Sequence, residues 1–191
     1  MSKAARSKRG WILIAVGVLV AIIAAAALAI YSGAYNVAAD IPHTQPVYWL
    51  LETARERSIE VRAAGITVPG DLADPKRVES GAGQYAEMCA GCHLAPGMKR
   101  TEISRGLYPR APELRRKRDS TPAEDFWVVK HGIKMTGMAA WGLTHDDEIL
   151  WNIVAFLQKL PELTPDQYQS LVRSAPTTHD EMMQEMDHSG H

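Results

Sequence analysis

Cys89, Cys92 and His93 stand as C-x-x-C-H in "YAEMCAGCH", and the two cysteines are the only ones in the 191-residue chain. Two thiols at this spacing, with an imidazole adjoining, serve three chemistries. A structural zinc ion takes four ligands, usually from two such pairs; here one pair is present and the histidines are scattered. A redox-active dithiol of the thioredoxin kind sits near a βαβ pattern, and no alternating strand pattern surrounds this one. Covalent haem attachment carries the C-x-x-C-H signature itself. There the thiols bond the two vinyl groups of one porphyrin, and the histidine lies under the iron as an axial ligand. An exported location favours that reading, because an idle thiol pair there tends to oxidise to a disulfide.

The iron then needs a second axial ligand, and His with Met is the pair that raises the potential of c-type haem. "GIKMTGMAAWG" offers Met135 and Met138 downstream. His131 is a further candidate, though it reads more simply as a helix C-terminal residue facing the last carbonyls.

The segment of about 74–163 resembles the class I cytochrome c family. The resemblance rests on "CAGCH", on the "TGMAAW" loop, and on Gly81 and Tyr85, eight and four residues ahead of Cys89. It implies haem c bound covalently at Cys89 and Cys92, with His93 and Met138 on the iron. The family's proline after the ligand methionine is Ala139 here, which leaves the loop less restrained. The resemblance further implies that Gly81 and Tyr85 lie where the first and last helices cross, against Ile153 and Phe156. It implies a proline carbonyl accepting the imidazole N–H: Pro112 of "APEL", with Pro96 as rival. Trp127, Trp141, Tyr108 and Arg110 are candidates for the haem pocket or its propionates.

The elements that must position these residues are helical. Asp74-Pro75 is a good helix start, and Val78, Gly81, Ala82, Tyr85 and Cys89 recur at helical spacing, so this helix delivers the cysteines from its end. A proline-bearing loop is expected over 94–120. "TPAEDFWVVKHGI" begins with a capping box, Thr121 and Glu124. "THDDEILWNIVAFLQKL" is the last long helix, with Thr144 as cap, Ile149, Ile153, Phe156, Leu157 and Leu160 as buried stripe, and Pro161 as stop. The fold class is all-α. A domain of about ninety residues, in a chain with two phenylalanines, has little core of its own, and a porphyrin would supply apolar surface to pack against.

Ahead of this domain, Trp11–Ile30 is an unbroken apolar run, enough as a helix to cross a hydrocarbon core. Lys3, Arg6, Lys8 and Arg9 precede it, so the bulk of the chain is expected on the far side of the membrane. A cleaved signal peptide, with "VAA" at Val37–Ala39 as cleavage site, is the rival; the length of the run favours an uncleaved anchor. The expected organisation is a basic cytoplasmic segment at 1–10, a transmembrane anchor at 11–30, and a juxtamembrane linker at 31–73. The cytochrome domain follows at 74–163, then a short helix and a disordered tail at 164–191. In the linker "PVYWLLETARERSIEVRAA" reads as an amphipathic helix with Val47, Leu50, Leu51, Ala54 and Val61 near one face.

Net charge is −1, which excludes a nucleic-acid binder or a polyanion on bulk grounds. Without the four basic residues before the anchor, 17 basic face 22 acidic residues. Lys99, Arg100, Arg105, Arg110, Arg115, Arg116, Lys117 and Arg118 nevertheless cluster after the haem motif; such a run is a solvated loop or a rim that steers an acidic partner. The tail packs His179, Met182, Met183, Met186, His188 and His191 among acids, and thioether with imidazole suits copper. The expected function is single-electron transfer by a mono-haem cytochrome anchored in a bacterial inner membrane. Its domain would face the periplasm, between respiratory-type redox partners, with both axial positions filled and no small-molecule substrate on iron. The alternatives are a haem subunit fixed in a larger membrane complex, and a copper-handling protein that uses the tail.

Overall fold

The computed structural model describes residues 3–176. It is all-helical, with no β-strand among the described residues. The chain divides into two units, Met1–Ile41 and Pro42–His191.

The first unit is α1, Lys3–Tyr31. Its stretch Lys8–Tyr31 is long and apolar enough to cross a membrane, by length and composition. The helix starts ahead of the apolar run and takes in the basic segment, since Ala, Lys and Arg are good helix formers and no proline interrupts them; Gly10 is carried through.

In the second unit α2 is Gln45–Ala63, α3 Pro75–Met88, α4 Ala90–His93, α5 Glu102–Gly106, α6 Pro122–His131, α7 Asp147–Lys159 and α8 Pro165–Ser174. The expected starts of α3 and α6 are present. Asp74 accepts the Lys76 N–H at 2.8 Å, and Thr121 and Glu124 close their capping box. Three expectations are corrected. The last long helix is capped by Asp146, which accepts from the Ile149 N–H at 3.0 Å; Thr144 instead turns its hydroxyl to Trp141 and His145. The 94–120 segment is not all loop. Thr101 accepts from the Ser104 N–H at 3.0 Å and starts α5. Finally, α2 does not bury the expected face. Leu50 is 59% and Val61 64% exposed, whereas Tyr48, Glu52, Arg55 and Ile59 are half-buried and Ala63 is buried. Those five also recur at helical spacing, and this mixed polar face packs because Glu52 satisfies both Tyr48 (3.0 Å) and Arg55 (3.3 Å).

The core is the crossing of α3 over α7, with α8 behind α3 and α6 beside α7. Val78, Ala82 and Tyr85 meet Leu150, Ile153, Val154, Phe156 and Leu157, all buried. The Tyr85 and Phe156 rings are 5.2 Å apart, and the Phe126 and Trp151 rings stack at 4.0 Å. Each such side chain contributes roughly 1.5–3 kcal/mol by leaving water. At the crossing point stands Gly81, where a Cβ would run into the Asn152 carbonyl and lie 2.9 Å from Phe156 Cβ. The partner of Gly81 is thus the Asn152 backbone together with Phe156; the expected Ile153 is a neighbour in the core, one position off the contact.

A methyl group at this point must push the α3 and α7 backbones apart. Gly81→Ala is therefore expected to cost about 3 kcal/mol, the upper range for overpacking, read as a lower urea midpoint with unchanged slope. An unaltered midpoint would contradict the close approach.

Candidate functional site

The site is built on the end of α3. Cys89 closes α3 and opens the single turn of α4, so Cys89, Cys92 and His93 fall on consecutive turns. Cys92 and His93 both donate their backbone N–H to the Cys89 carbonyl, at 3.1 and 2.9 Å. The chain then turns at Leu94, whose φ of +64° lies in the left-handed region; a non-glycine residue there costs about 1–2 kcal/mol. The Tyr85 hydroxyl donates to the Leu94 carbonyl and secures the turn. Burial raises the Tyr85 phenol above its ordinary pKa, so it remains a donor. The Thr101 hydroxyl, capping α5, donates in turn to the Gly91 carbonyl.

Both cysteines are free thiols. Burial pushes the Cys89 thiol up to about 12, with a smaller push from Cys92. A redox dithiol needs the opposite, a lowered pKa and an attacking thiolate. Among the described residues no three His, Cys, Asp or Glu side chains converge as ligands of a metal ion.

His93 is the decisive residue. Its Nδ1 lies 2.9 Å from the Pro112 carbonyl oxygen. A carbonyl only accepts, so Nδ1 carries the proton and Nε2 keeps its lone pair. Burial lowers the His93 pKa, the Pro112 bond opposes that, and the Arg118 charge adds to the lowering. The imidazole is thus held neutral, as a ligand must be. The Leu114 N–H donates back to the His93 carbonyl at 3.3 Å, which ties the Pro112 segment to the motif. The carbonyl that faces the ring is that of Pro112 and not of Pro96.

Met138 is half-buried in a loop folded on itself. The Ile133 N–H donates to the Met138 carbonyl (3.2 Å), and the Met138 N–H donates to Thr136 Oγ1 (3.1 Å). Met135 is 83% exposed with φ +60°, and His131 is exposed against Trp127 at the end of α6; neither is held as Met138 is. Trp141 is half-buried, with its ring edge-on to His145 at 5.6 Å. Trp127 lines an open hollow of about 490 Å³ with Phe126, Trp151, Arg62 and Lys130, which contains neither cysteine, His93 nor Met138. The Tyr108 hydroxyl accepts the His43 backbone N–H, and Arg110 is exposed. The tail residues His179, Met182, Met183, Met186, His188 and His191 lie outside the described residues.

Two polar clusters went unforeseen. Buried Asp125 accepts from Arg118 Nη1 (2.7 Å) and Nη2 (3.2 Å), from Ser120 (2.9 Å) and from Gln158 (3.2 Å). Glu113 gathers Arg100, Arg115 and Arg116 at 2.8, 3.0 and 3.1 Å, and the Arg115 hydrogen bond leads in holding its carboxyl below the usual range. The only sequence signal for either was the surplus of arginine itself.

Residues 76–157 match the family described as cytochrome C oxidase, cbb3-type, subunit III. No curated protein and no solved structure matches the chain. The match supports a c-type cytochrome domain over this segment, of the kind found in electron carriers and oxidase subunits, and such a domain implies covalently bound haem c. The match leaves α1, α2 and α8 outside it, and it stops short of the tail, so it lends the tail no copper role.

The residues present fit that group. Two free thiols flank one helical turn, a neutral imidazole offers Nε2, and a half-buried thioether lies in a constrained loop. In addition the buried Arg118 Nε has no hydrogen-bond partner among the described residues. A buried N–H calls for an acceptor, and haem carries two carboxylates.

A domain this small, with little core of its own, should not hold without such a group. Cys89→Ser combined with Cys92→Ser is expected to give an unfolded or degraded product, seen as loss of helical circular dichroism and of protein in vivo. A soluble, helical, haem-free variant would contradict the expectation.

Proposed function

We propose that this chain is a membrane-anchored mono-haem cytochrome passing single electrons between redox partners on the periplasmic face of a bacterial inner membrane. In this reading Cys89 and Cys92 form the thioethers, His93 Nε2 and Met138 sulfur are the axial ligands, and residues 11–30 are the anchor. The observation that supports it best is the His93–Pro112 hydrogen bond beside the thiol pair, which presents a neutral imidazole in one tautomer and one orientation. Bound haem would supply the one-electron couple. The protein's role is to hold and insulate. Pro112 would fix the ring and raise its basicity, Met138 would offer its thioether as the second ligand, and the apolar core of α3 and α7 would carry the motif on which the group is held. A tether confines the domain near the membrane and raises its effective concentration at membrane partners.

A fixed place in a larger membrane complex is the second reading. It is favoured by the family's description as an oxidase subunit and by the outward residues of α2, with Trp49 66%, Leu50 59% and Val61 64% exposed. Purification in mild detergent separates the two: a lone chain for the carrier, co-purifying subunits for the complex.

Met138→Ala in the full-length haem protein tests the ligand set. It should abolish the thioether-to-ferric-iron charge-transfer band and lower the reduction potential by roughly 0.1–0.3 V, within the span of about 0.8 V that axial ligands command. A retained band with an unchanged potential would remove Met138 from the site.

A further inference from the structure

The segment after α1 does more than space the domain from the anchor. The backbone N–H of His43 donates to the Tyr108 hydroxyl at 2.8 Å, and the two rings meet edge to face at 5.1 Å. Together with Leu51 and Glu52 of α2 they wall a cavity of about 100 Å³, whose other wall includes Ile133 and Met135. These last two begin the loop that ends in Met138. The loop is braced from within by the Thr136 hydroxyl, which donates to the Ile133 carbonyl at 2.8 Å and accepts from the Met138 N–H. From outside it is pressed by Leu107, since a Cβ on Gly137 would collide with a Leu107 methyl. Behind it Gly132, at φ +63°, lies against the Met138 and Ala139 carbonyls. Met135 itself is a non-glycine residue in the left-handed region, a conformation that costs about 1–2 kcal/mol.

We infer that residues 42–55 clamp the Ile133–Met138 loop through Tyr108, and that His43 and Tyr108 are positioning residues for the axial methionine. Both α2 and its approach lie outside the matched segment 76–157, while Tyr108 lies within it. The clamp supplies the restraint that an alanine at position 139 does not. It also gives the juxtamembrane segment a physical route to the iron: whatever displaces α2 loosens the loop, weakens the thioether bond and lowers the potential. The inference rests on Met138 as axial ligand, and its test separates the two.

The measurement is the affinity of the ferric, full-length haem protein in detergent for imidazole, which binds iron only by displacing the loop sulfur. Tyr108→Phe keeps the ring contact and removes the hydroxyl. One lost hydrogen bond is worth about 1 kcal/mol, so imidazole should bind about fivefold more tightly, and the charge-transfer band should fade at lower imidazole. Glu52→Gln, which weakens the Tyr48–Glu52–Arg55 set facing the same cavity, should act in the same direction. In a Met138→Ala background Tyr108→Phe should have no effect, because no sulfur remains to be released. An unchanged affinity in both single variants would overturn the clamp, as would an equal gain in the Met138→Ala background. If Met138→Ala alone leaves imidazole binding as it was, the axial assignment fails and the clamp with it.

Discussion

The contact between Gly81 and the Asn152 carbonyl governs the geometry of this protein. At that point two helix backbones touch, and the approach sets the line along which α3 runs out to Cys89. It also brings Phe156 onto Tyr85. Tyr85 then reaches the Leu94 carbonyl, one residue beyond His93, and holds the left-handed turn by which the chain leaves the motif. The cysteines and histidine are therefore framed by the core and do not hang from a loop. A cofactor held covalently at this place would be tied directly to the α3–α7 core.

Charge is arranged around this frame in two ways. Buried Asp125 is surrounded by donors, and its Arg118 partner extends its influence to the His93 imidazole. Removing one member of such a pair leaves an uncompensated charge, so the cluster fixes α6, α7 and the preceding loop in one arrangement. Glu113 instead gathers three arginines at the surface of the Pro112 segment, where each pair is worth little singly. Its effect is local order next to the residue whose carbonyl orients the imidazole. Lys99, Arg105, Arg110 and Lys117 have no such counter-charge among the described residues, and the face after the motif is left basic.

Much of this was legible because it is written in short-range chemistry. Asp74-Pro75, the Thr121–Glu124 box and C-x-x-C-H are each complete within a few residues, and the structure has the helix starts where those residues stand. Pro112 could be named because a resemblance pointed to a proline carbonyl, and a hydrogen bond of 2.9 Å is there. The misreadings have equally local causes. "THDD" offers two competent caps, and Asp146 prevails with the more helix-proximal carboxylate. In α2 two stripes run along one helix. The apolar one looked like the buried face, but Glu52 satisfies Tyr48 and Arg55 and lets the mixed face pack. What no window could reveal is the link between His43 and Tyr108, 65 residues apart, or the one-residue shift from Ile153 to Asn152 against Gly81. Both depend on where helices cross, and periodicity fixes that only to within a turn.

The account stands on a porphyrin joined to the chain by thioether bonds at Cys89 and Cys92. The direct measurement is an intact mass under denaturing conditions, with the visible spectrum of the same protein in alkaline pyridine. The chain should weigh one haem more than its sequence, and the reduced pyridine spectrum should be that of a haem whose two vinyl groups are both saturated. A mass equal to the bare polypeptide, or pigment that separates from the chain in acidified acetone, would contradict the account at its root.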